Sequence, residues 1–223
     1  MINAYRISNS KTIRAYNLRS GFYDKTIAKS EFSYHLRALD KIEWHPEMKI
    51  LEVATGPGRV IAEIAGRVEE GSTLFGLDIS RKMLALARKR LENLGLNNFE
   101  LKTGDCRELP WPDNQFDLLY NGYMMDLIPF EDMHTVLREF KRVLKPGGQL
   151  MLVNMSKESD EPSVLERLYE RLPRSLALYI MGNCRPVRME ERVVEAGFIS
   201  VKREFLKGLH PSEIIIAEKE VKK

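Results

Sequence analysis

The chain has 223 residues, enough for one well-buried domain and short for two. Apolar residues make up 43% and charged residues 30%, an ordinary globular composition, and no apolar run approaches the roughly 20 residues a membrane-spanning helix needs. The net charge of +3 is small and the basic residues are interspersed with acids, so no phosphate-tracking stripe stands out and no nucleic-acid partner is expected. The start, Met1-Ile2-Asn3-Ala4-Tyr5-Arg6, has no apolar core or cleavage site. Cys106 and Cys184 are too few for a disulfide framework and form no CxxC pair, so a reducing, cytoplasmic setting is expected. His35, His45, His134 and His210 have no ligand spacing; each reads as surface or loop, and no metal is expected.

From about residue 48 the pattern alternates strand and helix. Ile50-Leu51-Glu52-Val53 reads as a first strand, followed by a Gly/Pro turn and a helical stretch from Val60 to Val68. Thr73 to Leu77 is a second strand ending at Asp78. Ser80 is placed to cap a helix whose apolar residues, Met83, Leu84, Ala87, Leu91 and Leu94, share one face, with Gly95 as its stop. Third and fourth strands fit Asn98 to Thr103 and Phe116 to Tyr120. Met133, Val136, Leu137, Phe140, Val143 and Leu144 then mark a helix ended by Pro146-Gly147-Gly148, and Gln149 to Val153 is a fifth strand. Such alternation implies an α/β fold, a parallel sheet with helices on both faces. Glu161 to Ile180 reads as one or two amphipathic helices, and a short helix ends at Gly197. Two strands follow, near Phe198 to Phe205 and Glu213 to Ala217, joined by too short a turn for a parallel crossover; they should pair antiparallel.

The first strand runs into Glu52-Val53-Ala54-Thr55-Gly56-Pro57-Gly58. In an open parallel sheet this is where ligands bind, and Gly56 and Gly58 let the backbone turn tightly and let a ligand approach. Asp78, at the end of the second strand, can accept both hydroxyl hydrogens of a ribose. The pair indicates an adenosine-containing cofactor. A nicotinamide cofactor fits poorly, because the third glycine of its GxGxxG turn is Ile61 here and Glu52 would repel a pyrophosphate. Glu52 suits a cation, and S-adenosylmethionine (SAM) carries a sulfonium and an ammonium.

Glu52 to Gly58 resembles the first motif of class I SAM-dependent methyltransferases, acid-x-Gly-x-Gly-x-Gly, with Ala54 in place of the first glycine. Further matches are to the branch resembling ubiquinone/menaquinone-biosynthesis C-methyltransferases: Gly76-Leu77-Asp78-Ile79-Ser80 with Met83, Gly104-Asp105, Gln115-Phe116-Asp117 and Leu144-Lys145-Pro146-Gly147-Gly148. The resemblance covers roughly residues 12 to 156. It implies a Rossmann-like, seven-stranded, mostly parallel sheet whose last strand runs antiparallel between the fifth and sixth. It also implies SAM as cofactor, with S-adenosylhomocysteine as product. Glu52, Ala54 and Gly56 would lie at the methionine part, as would Asn121 through its backbone. Gly58 would shape the turn, and Asp78 would hold the ribose. Met83 would pack near the adenine and Asp105 would accept from its amino group, and Ile79, Gly104 and Cys106 complete the expected cofactor-binding residues.

The run Asn121-Gly122-Tyr123-Met124 lacks the [Asn/Asp]-Pro-Pro-[Tyr/Phe] pattern of base-amino methyltransferases, and the Pro-Cys nucleophile of cytosine-C5 enzymes is missing. Tyr16, Tyr23 and Asp24 resemble a lid segment of the same branch. The expected organisation is one domain: a helical lid segment over 1–45, a SAM-binding core over 46–156, and substrate-side helices with the antiparallel strands over 157–223. Methyl transfer from a sulfonium is an in-line displacement that asks mainly for positioning and exclusion of water, so a general base is not demanded; Tyr123 and Asp126 are candidates by location. Tyr179, in an apolar face between Ser156 and Pro186, is a candidate wall of the acceptor pocket. The expected function is methylation of a small apolar, aromatic or prenylated molecule, with peripheral contact to a lipidic substrate left open. The alternatives are a lipid or macromolecule methyltransferase, or a SAM-binding module without turnover.

Overall fold

The computed structural model describes residues 28–159, 185–208 and 210–221. Tyr16, Tyr23, Asp24, the expected helical stretch from Glu161 to Ile180 with Tyr179, and Cys184 lie outside the described residues. In chain order the elements are α1 (Ala28–Leu39), β1 (Lys49–Val53), α2 (Arg59–Ala65), β2 (Thr73–Asp78), α3 (Arg81–Asn93), β3 (Phe99–Thr103), β4 (Phe116–Gly122), a single 3₁₀ turn (Met125–Leu127), α4 (Phe130–Val143), β5 (Leu144–Met155), α5 (Glu190–Glu195), β6 (Ile199–Leu206) and β7 (Ser212–Glu218). Among the described residues no helix is long and apolar enough to cross a membrane.

The helices form where apolar spacing and caps agree. In α4, Met133, Val136, Leu137, Phe140 and Val143 recur at three- and four-residue steps and are fully buried. In α3 the Ser80 hydroxyl accepts from the Met83 backbone N–H, satisfying one of the donors a helix start leaves open. Two expected boundaries differ. Leu94 lies just past α3 and is 58% exposed, because the helical face turns to solvent once its last buried residue, Leu91, has been placed. Leu144 is extended rather than helical and pairs with Phe116, so β5 begins at the helix end and carries Pro146-Gly147-Gly148 within its span. Lys145 in that span binds both carboxylate oxygens of Asp117 at 2.7 and 2.8 Å, joining two of the motifs.

The seven strands are ordered β3-β2-β1-β4-β5-β7-β6. Strands β1 to β5 pair parallel with one another, and β7 runs antiparallel to both β5 and β6. The chain's direction of winding reverses between β1 and β4, which opens a crevice at their carboxyl ends. One sheet face packs with Leu39 of α1, Ile61 and Ile64 of α2 and Leu91 of α3. The other packs with α4, with Val193 of α5 and with an edge-to-face trio of Phe75, Trp111 and Phe116.

Strand β7 holds its interior place partly through a buried charge. Ile214 and Ile215 are wholly buried, as an interior strand requires, but so is Glu213. Its carboxylate accepts from Arg203 Nε of β6 at 2.6 Å, from the Met189 backbone N–H at 2.8 Å and from Asn154 Nδ2 of β5 at 3.2 Å. One side chain thus ties three strands and the segment leading into α5. Replacing one member of a buried pair leaves the other uncompensated, so Glu213→Ala should lower the unfolding free energy by about 3–5 kcal/mol, measured by urea denaturation. A loss of under about 1 kcal/mol would mean that water replaces the carboxylate at no cost.

Candidate active site

The carboxyl ends of β1, β2 and β4 gather the polar groups that sequence pointed to. Parallel register puts Glu52 beside Gly76 on one flank and Tyr120 on the other, all on one sheet face; Val53, Leu77 and Asn121 point to the opposite face. Glu52 is 3% exposed. The Ile61 backbone N–H of α2 donates to its carboxyl, while Oε2 has no hydrogen-bond partner among the described residues. Burial, reinforced by the nearby charge of Asp78, pushes the Glu52 carboxyl well above the usual carboxylate range. A buried acceptor left in this condition fits a cationic group that would restore its charge and supply the missing donor.

Asp78 closes β2 and is nearly buried. Its Oδ2 accepts from the Gly56 N–H and its Oδ1 from the Ser80 N–H, both at 2.8 Å, so the carboxylate is held between the glycine turn and the start of α3. Burial raises its pKa and the two N–H groups oppose that rise. Each oxygen keeps a lone pair for a further donor, the arrangement a vicinal diol needs.

The two glycines of the turn do different jobs. A Cβ on Gly56 would meet nothing within 4 Å, so its value is the left-handed backbone (φ 54°) and the open space beside it. A Cβ on Gly58 would lie 2.7 Å from Ala87 Cα, so this glycine serves the close approach of α3 rather than that of a ligand. Ala54, where the related motif has glycine, also takes positive φ (62°), a conformation costing an alanine roughly 1–2 kcal/mol. The departure from the motif therefore changes the residue and keeps the turn.

Around the adenine positions, Met83 is buried in α3, Ile79 is partly exposed, and the Gly104 N–H donates to the Asp78 carbonyl at 3.1 Å. Cys106 is a buried thiol pushed up to about 12 by burial and by Asp105. Asp105 is gripped by Arg107, which donates through Nε at 2.9 Å and Nη2 at 2.6 Å, so an adenine amino group would share this carboxylate with an arginine. Asn121, wholly buried, donates from Nδ2 to the Val53 carbonyl at 2.8 Å; its Oδ1 has no partner.

Beyond β4 lie the two base candidates, Tyr123 and Asp126, and around them are Ser212, Arg185 and Glu31, which sequence reading passed over. Tyr123 takes positive φ (50°), and its hydroxyl lies 3.0 Å from Ser212 Oγ of β7. Burial raises the Tyr123 hydroxyl above the usual phenol range, so it stays protonated and is unsuited to act as a base. Asp126 is buried; its backbone carbonyl accepts from Arg185 Nη1 at 3.0 Å, and the Arg185 guanidinium stacks 4.4 Å from the Phe130 ring centre. Glu31, on α1, is partly buried and is pushed up to about 7 by burial and by Asp126. His35, expected at a surface or loop, is instead in α1 with its ring between Tyr120 and Tyr123, and burial holds it down to about 4, hence neutral. Helix α1 carries Glu31 and His35 on one face because they are four residues apart; that spacing was legible, but not that the face would close over β4.

Sheet order, crevice and the Glu52/Asp78 pair together define the Rossmann-like fold of class I methyltransferases. Residues 50–148 match the family model described as a methyltransferase domain. The demethylmenaquinone methyltransferase of Bacillus mycoides is 38% identical over 120 residues, 54% of this chain and 48% of that protein. That of Listeria welshimeri is 31% identical over 150 residues, 66% of this chain and 63% of that protein. The chain thus spans between about half and under two thirds of the length of these curated relatives. A solved SAM-dependent methyltransferase from Aquifex aeolicus shares the fold at a TM-score of 0.63 and 20% identity, covering 96% of this chain and all of that one. Over its sheet-forming core the chain is thus similar to SAM-dependent methyltransferases, the two curated relatives among them being demethylmenaquinone methyltransferases.

The glycine assignments are separable by experiment. Gly58→Ala should cost stability heavily, about 2–4 kcal/mol by denaturant titration, through collision with α3 and a left-handed alanine. Gly56→Ala should cost only about 1–2 kcal/mol, from its backbone alone. Equal losses at the two positions would refute the division.

Proposed function

We propose that this protein transfers the methyl group of SAM to a small aromatic acceptor, prenylated or otherwise apolar, leaving S-adenosylhomocysteine. The observation that carries the reading is the buried Glu52 carboxyl, with one oxygen unpartnered, next to Asp78 in a glycine turn that has open space at Gly56. Glu52 would receive the ammonium of the methionine part, Asp78 the ribose hydroxyls, and Met83, Ile79 and Asp105 the adenine. When bound, SAM supplies a methyl already activated on a sulfonium. The chain's own contribution is to align the acceptor, exclude water and take up the proton that the acceptor loses for each methyl gained, the C–S electron pair staying on sulfur.

Glu31 is the carboxyl whose acidity suits that last task, ahead of Asp126 and Tyr123, since a base titrating near 7 is half available at neutral pH. The aromatic, prenylated acceptor is favoured by the two relatives named for demethylmenaquinone. The lid reading is kept for the segment before the buried end of α1, because Ala38 and Leu39 are locked in the core. The division into a 1–45 lid, a 46–156 core and a 157–223 substrate side stands as part of the same proposal.

Calorimetry should detect SAM and S-adenosylhomocysteine binding and no NAD binding. Asp78→Ala removes charge-assisted hydrogen bonds, so SAM affinity should fall about 10- to 100-fold; unchanged affinity would place the ribose elsewhere. Transfer of labelled methyl should be seen with a short-chain demethylmenaquinone reduced to the quinol. Efficient transfer to RNA or protein, with none to small aromatic acceptors, would overturn the acceptor class.

Two pH effects follow. Burial pushes the Glu52 carboxyl toward its neutral form and it must ionise to hold a cation, so SAM binding should release a proton wherever that carboxyl is protonated, and should strengthen as pH rises. The slope of binding heat against buffer ionisation enthalpy measures this, and Glu52→Gln should remove it. Separately, kcat should rise with pH through about 7 as Glu31 ionises, and Glu31→Gln should flatten that limb. A limb unaltered in Glu31→Gln would exclude Glu31 as the base.

A further inference from the structure

The ring of His35 occupies a place made for it. A Cβ on Gly122, at the end of β4, would lie 2.3 Å from His35 Cε1, so only glycine there lets the imidazole sit on the strand end. Its Nδ1 is 2.6 Å from the Tyr120 hydroxyl, and its ring meets Tyr123 edge-on, with 5.3 Å between ring centres.

Hydrogen-bond accounting fixes both neighbours. Tyr120 is wholly buried and stays protonated, and His35 Nδ1 is its hydroxyl's hydrogen-bond partner, so the phenol donates to Nδ1. The neutral imidazole must then carry its proton on Nε2, which has no hydrogen-bond partner among the described residues. Next to it, the Ser212 hydroxyl donates to the His210 carbonyl at 2.9 Å, so in the 3.0 Å contact the Tyr123 hydroxyl is the donor. That leaves the lone pairs of the Tyr123 oxygen free to accept. The ring that carries this N–H thus meets edge-on the ring whose oxygen can accept, with 5.3 Å between ring centres.

We infer that His35 is a specificity-determining residue, whose Nε2–H donates to a hydroxyl oxygen of the acceptor ring while that hydroxyl donates to the Tyr123 oxygen. The pair selects a phenol or quinol over the oxidised quinone or an aryl ether, since only a hydroxyl answers both groups. This rests on the methyl-transfer reading and names the part of the acceptor that the site recognises.

His35→Asn is the informative variant, because its amide oxygen can replace Nδ1 as acceptor for Tyr120 while the distal donor is lost. With short-chain demethylmenaquinol as the probe, His35→Asn should keep the wild-type melting temperature and SAM affinity. Its kcat/KM for the quinol should fall about 10- to 30-fold, the effect of one unmade buried hydrogen bond, chiefly through KM. His35→Gln, whose longer amide can present an N–H near the Nε2 position, should recover part of the loss. Wild type should bind the dimethyl ether of the quinol, which has no hydroxyl left, at least about tenfold more weakly than the quinol, a comparison that needs no variant to fold. Acceptor kinetics in His35→Asn within twofold of wild type, or equal binding of quinol and ether by wild type, would overturn the inference. Absence of methyl transfer from SAM by the wild-type protein would instead overturn the reading beneath it.

Discussion

A carboxyl group buried at the centre of a sheet is expensive, and the arrangement around Glu52 is the constraint on which the rest of the site depends. The strand that carries it must end where helix α2 can offer the Ile61 N–H, which fixes the tight turn through Ala54, Gly56 and Gly58. Its neighbour in β2 must be small, and Gly76 is so closely surrounded that a Cβ would lie 2.6 Å from Leu101 and 2.8 Å from the Thr55 hydroxyl. Its neighbour in β4 is Tyr120, whose hydroxyl turns to His35. The polar groups of three strand ends and two helices are thus arranged about one acid whose own bonding is left incomplete.

The parts of the fold that sequence revealed are those carried by short-range pattern. Amphipathic spacing marked α3 and α4, the glycine turn marked the end of β1, and the short connection before Ser212 required β6 and β7 to be antiparallel. The interior position of β7, carried over from the family resemblance, also agrees with the structure. Boundaries slipped where two signals overlapped: Leu144 continues the helical period of α4 but takes the backbone of β5.

The site was legible only where a motif is local. Glu52 and Asp78 could be found because each ends a strand in a recognisable run. Glu31, His35, Arg185 and Ser212 could not, because their roles come from interactions 57 to 95 residues away in the chain, such as Arg185 with Asp126 and Ile128, Tyr123 with Ser212, and Glu31 with Asp126. His35 is the sharpest case. A lone histidine between a tyrosine and a leucine carries no signal of its own; its partner Tyr120 is 85 residues distant, and the space for it is created by a glycine. The place of Tyr123 after β4 is legible in the sequence, but its restraint by Ser212 and its raised pKa, which make it a hydrogen-bonding group rather than a base, follow only from packing.

The position of β7 also imposes an order of events on a growing chain. Strand β5 exchanges hydrogen bonds with β7 along its whole second half, from Gln149 with Glu218 to Met155 with Ser212, while β6 touches the sheet only through β7. Until residue 218 has left the ribosome, a nascent chain with β1 to β5 assembled presents β5 as an open, largely apolar edge, and β6 has no strand to join. Translation at ~5–20 residues per second leaves that edge bare for several seconds after β5 emerges. An unpaired apolar edge is a template for other chains. The interval between Met155 and Ser212 is therefore the stretch of synthesis over which that edge stays open, and synonymous codon changes that slow translation there would lengthen it.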